Sequence, residues 1–196
     1  MNYTEFMKRI ASAAGSAKLG FRQTGLCLHS RHLPLILISA EKGKPVVVVP
    51  ERTKTKYGNT APVTAVSGTA FASNDSVTDI FLPHTVETIA DSAFAGCRNL
   101  KNITIPRAVR KIGAGTFAGC EKLENIYYEG TKEEWDSIRI VRRRRTVEFG
   151  EPIPGTPVLT VADDRITPVP GNEALFFCSV HFGCSLKKSE RSEKND

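Results

Sequence analysis

Nearly the same six residues occur twice in this chain, 23 positions apart: SAFAGC at 92–97 and GTFAGC at 115–120. Phe71, Phe94 and Phe117 are also spaced by 23 residues. Apolar residues return in phase around each phenylalanine: Val63, Val66, Val77, Ile80 and Leu82; Val86, Ile89, Leu100, Ile103 and Ile105; Val109, Ile112, Leu123, Ile126 and Tyr128. Agreement in three registers indicates an internal structural repeat.

A repeat of this length predicts stacked coils, since one coil cannot bury its apolar edge alone. The period lies in the range of leucine-rich repeats, whose strand signature is L-x-x-L-x-L. Here the signature reads VTDIFL (77–82), LKNITI (100–105) and LENIYY (123–128). The predicted fold class is therefore a β-rich repeat solenoid, a right-handed leucine-rich-repeat coil with a 23-residue period and about three repeats. Its strands would run parallel, about 4.8 Å apart.

Residues 63–138 resemble the BspA-type leucine-rich repeat family. TKEEWDSI (131–138) looks like the tryptophan-bearing segment after the last repeat of that family, and GNEALFFCSVHF (171–182) like the segment that follows it. The position three residues after each strand, commonly Asn or Cys in leucine-rich repeats, holds Thr85, Ala108 and Thr131. We therefore expect no asparagine ladder on that edge. The resemblance implies a non-catalytic binding protein, commonly on the bacterial surface or secreted.

The flanking segments predict caps for the stack. Phe6 and Ile10 recur at helical spacing after Thr4, a candidate N-cap, which predicts an N-terminal helix. LPLILISA (33–40) and KPVVVV (44–49), joined by EKGK, predict a β-hairpin. The predicted domains are an N-terminal helix and β-rich cap (1–60), the repeats (61–138), an insertion with a closing strand (139–185) and a disordered tail (186–196).

Composition limits the class of protein only loosely. Hydrophobic residues make up 40% of the chain, which is ordinary for a globular protein, and the apolar runs are too short to span a bilayer. The net charge of +6 permits an acidic partner without requiring one. The N-terminal stretch lacks the apolar core of a secretory signal. We therefore leave the location open between the cell surface that the resemblance implies and the cytoplasm.

No pattern predicts catalysis or a cofactor. The five cysteines cannot all pair within the chain, and Cys97 and Cys120 fit buried packing positions of the repeat. Cys178, His181 and Cys184 are residue types that bind zinc, but in a strand His181 would point away from both cysteines. GAGTFAG (113–119) has the wrong spacing for a nucleotide-binding loop. We expect a protein that is not an enzyme, with no metal and no cofactor.

An arginine run follows the repeats: Arg139, Arg142, Arg143, Arg144 and Arg145. Such a run can bind phosphates of a polyanion or nucleic acid, although solvated edge strands also carry charge. No aromatic residues are interleaved with it, so we expect nucleic acid not to be the partner. The alternative function is an intracellular scaffold or regulatory protein that binds a polyanion or nucleic acid through this run.

The strand face is the leading candidate for partner binding. Because side chains alternate along a strand, the middle residues of IFL, ITI and IYY point outward, with polar residues beside them. The six predicted contact residues are Asp79, Phe81, Asn102, Thr104, Asn125 and Tyr127. Aromatic residues are enriched where partners bind. A cap or insertion of the same chain would cover this face equally well, and the sequence leaves both possibilities open. The predicted function is protein–protein interaction, with attachment at the cell surface as its setting; the oligomeric state is unknown.

Overall fold

Each repeat contributes one strand to each of two sheets. A computed structural model describes residues 2–13, 15, 17–23, 33–141, 172 and 174–184. In chain order the elements are α1 (Tyr3–Ala13), β1 (Leu19–Gln23), β2 (Leu35–Ala40), β3 (Val46–Val48), β4 (Arg52–Lys54), β5 (Thr60–Val66), β6 (Asp79–Phe81), β7 (Thr88–Ile89), β8 (Asn102–Ile105), β9 (Lys111–Ile112), β10 (Asn125–Tyr128), α2 (Lys132–Asp136), β11 (Arg139–Ile140), α3 (Ala174–Phe177) and β12 (Ser179–His181).

The strands pair in the order that the repeat predicts. Sheet 1 runs β1-β2-β5-β7-β9-β11, with β4 also paired to β5, and sheet 2 runs β12-β10-β8-β6-β3. In sheet 2 the parallel register matches Asp79 with Asn102, and Asn102 with Asn125. Equivalent positions of successive repeats therefore lie side by side.

The core lies between the two sheets and is built from the repeated apolar positions. Ile80, Ile103 and Ile126 are fully buried. The three phenylalanines form a column in which ring centroids lie 5.2 Å apart for Phe71 and Phe94, and 5.4 Å for Phe94 and Phe117. Contact between successive repeats thus replaces the single closed core of an ordinary domain.

The repeated hexapeptide forms the same turn at residues 92–97 and at residues 115–120. Ser92 and Gly96 in the first copy, and Gly115 and Gly119 in the second, have positive φ angles between 58° and 76°. Glycine adopts this left-handed conformation without steric cost. The turns also stack on each other, since the amide of Gly96 donates to the Ala118 carbonyl over 2.7 Å. Two left-handed positions per turn explain why small residues recur there.

Two predictions about the flanking elements are wrong. Helix α1 begins at Tyr3 and is capped by Asn2, whose Oδ1 accepts from the Glu5 amide over 2.8 Å, and not by Thr4. The predicted hairpin does not form, because β2 pairs parallel to β5 in sheet 1 while β3 pairs parallel to β6 in sheet 2. Val47, buried between the sheets, takes the inward position of a repeat strand.

The closing segment, residues 174–184, adds one strand to sheet 2. Helix α3 precedes β12, which pairs parallel to β10. Within this segment the closing strand is confined to Ser179–His181, because Ala174–Phe177 are helical. The side chain of Asn172 accepts a hydrogen bond from the Phe117 amide (3.0 Å) and donates one to the Gly113 carbonyl (3.1 Å). Asn172 thus takes the place that a further turn would occupy on the stack.

Candidate functional site

Helix α1 lies over the strand face that was predicted to bind a partner. Asp79, Asn102, Thr104, Asn125 and Tyr127 are buried there, and Phe81 is half-buried against the helix. The sequence left open whether this face is exposed or covered by the same chain, and in the structure it is covered. Any role of these six residues in binding a partner stays a prediction.

One side of α1 makes the contact. Phe6 and Ile10 are one helical turn apart and are both buried. The Phe6 ring stacks on Tyr127 with centroids 4.8 Å apart, and Tyr3 lies 5.2 Å from the same ring. Burial raises the pKa of Tyr3 to about 12 and also raises that of Tyr127. Both phenols therefore stay neutral at physiological pH.

A hydrogen-bonded ladder of polar side chains crosses sheet 2 beneath α1. Asn102 Nδ2 donates to Asp79 Oδ1 over 2.6 Å, and Asn125 Nδ2 donates to Asn102 Oδ1 over 2.9 Å. His181 Nε2 lies 2.9 Å from Asn125 Oδ1. Because a carboxylate only accepts, Asp79 fixes the orientation of both amides, and His181 Nε2 must carry the proton that is donated. We call these four residues the polar ladder.

The polar ladder ends at a buried carboxylate that α1 neutralises. An Arg9 guanidinium nitrogen lies 2.7 Å from Asp79 Oδ2, and Thr78 Oγ1 donates to the same oxygen over 2.7 Å. The Asp79 side chain is fully buried, whereas 42% of the Arg9 side chain remains exposed. A buried charge without a partner is strongly unfavourable, so the Arg9–Asp79 contact is needed to keep Asp79 buried at low cost.

The ladder was not predicted, although its signal is in the sequence. The expected absence of an asparagine ladder concerned the positions after the strands, where Thr85 Oγ1 donates to the Val63 carbonyl over 2.7 Å. The ladder instead occupies the position two residues before each outward aromatic or threonine residue, on the same face of the sheet. Asp79, Asn102 and Asn125 are spaced by 23 residues, so the period alone indicated a column of polar side chains. Arg9 and Asn172 lie outside the repeat and carried no such signal.

Two cysteines of the repeats, Cys97 and Cys120, occupy buried packing positions. Cys97 and Cys120 donate their thiol hydrogens to the carbonyls of Phe71 (3.1 Å) and Phe94 (3.2 Å). Burial raises the pKa of Cys97 to about 11 and that of Cys120 to about 12. Over the described ranges no three His, Cys, Asp or Glu side chains cluster as metal ligands. Cys178 and Cys184 instead donate to the carbonyls of Leu175 and His181.

Only the start of the arginine run can be placed. Arg139 is exposed and lies in register with the exposed Lys111 across β9 and β11 of sheet 1. Arg142, Arg143, Arg144 and Arg145 lie outside the described residues.

A cavity of about 410 Å³ lies beside β9, lined by Arg107, Arg110, Tyr128 and Glu134 among others. Arg107 Nε donates to Glu134 Oε1 over 2.8 Å. The pKa of Glu134 is lowered mainly by the hydrogen bond that its carboxylate accepts from the Thr131 amide, and secondly by the contact with Arg107. The cavity therefore carries charge of both signs.

Every helix within the described ranges falls short of the length and apolarity that a membrane span requires.

A protein-family model agrees with the repeat. Residues 61–138 match the family model described as "BspA type Leucine rich repeat region (6 copies)". Among solved structures, the T. pallidum leucine-rich repeat protein TpLRR is 25% identical, with 56% of this chain and 50% of that chain covered and a TM-score of 0.48. A leucine-rich repeat protein from Bacteroides capillosus ATCC 29799 is 21% identical, with 55% and 87% covered and a TM-score of 0.45.

A leucine-rich repeat protein from Bacteroides ovatus ATCC 8483 is 20% identical, with 58% of this chain and 33% of that chain covered and a TM-score of 0.40. The match thus spans half the length of the T. pallidum protein. No curated protein matches the chain.

Proposed function

We propose that the chain is a non-catalytic module for protein–protein interaction, on the premise that residues 61–138 match the model of the BspA-type leucine-rich repeat region. Leucine-rich repeats of this family are generally binding modules. The proposed contact surface is the outward face of sheet 2, formed by Asp79, Phe81, Asn102, Thr104, Asn125 and Tyr127. One observation carries the assignment: this face already holds a helix through aromatic stacking and an ion pair.

The finer architecture is part of the proposal. The parallel register at intervals of 23 residues in sheet 2 supports a short right-handed solenoid of about three full coils. The division at residues 60, 138 and 185 separates the N-terminal cap, the repeats, the closing segment and the tail. Residues 186–196 lie outside the described part of the chain.

The contact surface can be tested by site-specific cross-linking. A photo-crosslinking amino acid is placed at Phe81, which is half-buried at the margin of the helix-covered face, and at Tyr57 as the control, 70% exposed and away from the face. Expressed in the cells that make the protein, the Phe81 variant should give a discrete adduct with one partner protein and the Tyr57 variant should not. Adducts at Tyr57 alone would overturn the choice of surface.

The location is a separate proposal, since the family resemblance points to the cell surface. Treating intact cells with an external protease tests it. Loss of the protein would place it outside the membrane, and full protection with reduced thiols would place it in the cytoplasm. Either result leaves the contact surface as proposed, because the helix-covered face does not depend on the compartment.

Polyanion binding is the second candidate, favoured by the register of Lys111 and Arg139 on an exposed part of sheet 1. Replacing both by Ala should weaken binding to heparin and lower the slope of log K against log salt by roughly 1 to 2, since each lost phosphate-type contact contributes about 0.9. Lys54 and Lys56, which are also exposed, provide the matched control pair. Equal heparin binding by both double variants would refute the assignment.

A further inference from the structure

Helix α1 is seated on the repeats without being part of their core. Its buried residues Phe6 and Ile10 form a separate apolar cluster with Tyr127 and Cys184, distinct from the main core between the sheets. The strands of sheet 2 hydrogen-bond to one another in the order β12-β10-β8-β6-β3, and α1 takes no part in that pairing. Removing the helix would therefore expose one face of sheet 2 and leave the packing between repeats unchanged.

The exposed face would be a groove with a defined chemical pattern. Tyr127 offers an aromatic surface at one end, and Val46 and Val48 of β3 with Phe81 offer apolar surface that contacts α1. Asp79 supplies a buried negative charge between them. A face that combines apolar surface with one desolvated carboxylate fits an amphipathic helix with one well-placed cation.

The contact residues of helix α1 indicate the sequence pattern that such a ligand helix would carry. Phe6, Arg9 and Ile10 occupy positions i, i+3 and i+4, which lie on one side of a helix. Phe6 stacks on Tyr127, Arg9 reaches Asp79, and Ile10 is buried in the same cluster. An 11-residue helix is marginal by itself in water, so α1 depends on this groove for its structure.

We propose that the outward face of sheet 2 recognises an amphipathic helix of a partner protein with the pattern aromatic-x-x-Arg-aliphatic, and that α1 is an internal occupant which the partner displaces. The inference rests on the proposed function and names its partner class. Because α1 is tethered, it competes at a high effective concentration. The apparent affinity for the partner is reduced by the fraction of molecules in which the groove is open.

The test uses a fluorescent peptide of residues 1–13, MNYTEFMKRIASA, and the full-length chain. In the variant with Phe6→Ala and Ile10→Ala, the tethered helix loses its apolar anchors while the groove is unchanged. We expect the peptide to bind this variant at least about tenfold more tightly than the wild type, measured by fluorescence anisotropy. A peptide carrying Arg9→Gln should bind the same variant at least about tenfold more weakly than the parent peptide.

Two further measurements keep the test decisive. Urea unfolding followed by Trp135 fluorescence reports whether the repeats of the double variant remain folded. An Arg9→Gln variant of the full chain removes only the ion pair and should show an intermediate gain in peptide affinity. Equal binding of the peptide to wild type and double variant, or binding to neither folded protein, would overturn the proposal.

The remaining outcomes separate this inference from the proposed function. A cross-link at Phe81 to a natural partner, with no peptide binding to the opened variant, keeps the contact surface and overturns the displaced-helix mechanism. Peptide binding with cross-links only at Tyr57 supports the groove and refutes its use as the natural contact surface. A wild-type dimer whose fraction rises with concentration, and falls when free peptide is added, would assign the groove to α1 of a second copy and overturn a separate partner.

Discussion

The phenylalanine column provides the most direct test of how this fold is stabilised. Phe94 is fully buried between Phe71 and Phe117, with ring centroids 5.2 and 5.4 Å away. Phe94→Ala removes a buried ring from the junction of three repeats and leaves a cavity. Substitutions of this kind cost about 3–5 kcal/mol, of which the two ring contacts account for roughly 0.5–1.5 kcal/mol each.

The assay is equilibrium unfolding in urea, followed by the fluorescence of Trp135, the single tryptophan of the chain. Trp135 packs edge-on against Tyr128 with centroids 5.2 Å apart, so its emission reports on the end of the array. For a chain of this size, the expected loss of free energy corresponds to a fall in melting temperature of about 6–20 °C. The matched control is Phe177→Ala, since Phe177 is 85% exposed and the same atoms are removed.

The control should stay within about 0.5 kcal/mol of the wild type. Phe117→Ala should cost less than Phe94→Ala, because Phe117 stacks on one phenylalanine of the column and Phe94 on two. If Phe94→Ala lost less than about 1 kcal/mol, or no more than the control, the column would not link the repeats energetically. The stacking argument would then be wrong.

Three further predictions follow from buried groups. Burial raises the pKa of Cys120 to about 12 from an ordinary 9.0. The buried neutral thiol therefore stabilises the fold fully below pH 9, and this contribution is lost as pH rises from 9 towards 12. Cys120→Ala should flatten the fall in unfolding free energy over that range. Gly113→Ala would place a Cβ into the backbone of Asp91 and should cost about 1–3 kcal/mol, measured in urea. Asn172→Asp removes the donor to the Gly113 carbonyl and buries a charge; we expect a loss of about 3 kcal/mol or more and faster amide exchange at Phe117.

The repeat could be read from the sequence because every coil makes the same contacts. Val77, Leu100 and Leu123 recur at the same phase, and each lies inward in the structure. Periodic contacts leave a periodic trace, and the family match over residues 61–138 agrees with it. The same period also carried the polar ladder through Asp79, Asn102 and Asn125, which were predicted as outward contacts but not as partners of one another.

Contacts that occur once left no such trace. The pairing of Arg9 with Asp79 joins residues 70 positions apart in sequence, and neither neighbourhood indicates the other. The predicted hairpin is wrong because residues 33–40 and 44–49 belong to different sheets. The turn between them is too short to contain the phenylalanine of a full repeat. No repeat signal therefore marked the change from one sheet to the other. Local patterns favour local pairing, whereas the parallel partners β5 and β6 come later in the chain.

Helix α1 contacts both an edge strand and the face of sheet 2, unlike the elements that close the other strand edges. At one end β1 pairs antiparallel with β2, and at the other Asn172 and β12 satisfy the last coil. A cap is needed where strand edges would otherwise be open. Helix α1 contacts β3, the edge strand of sheet 2, and also lies across the face of that sheet, over the polar ladder and Tyr127. The proposal that this face recognises a partner helix would account for the aromatic residue and the desolvated carboxylate that it carries beneath a short helix.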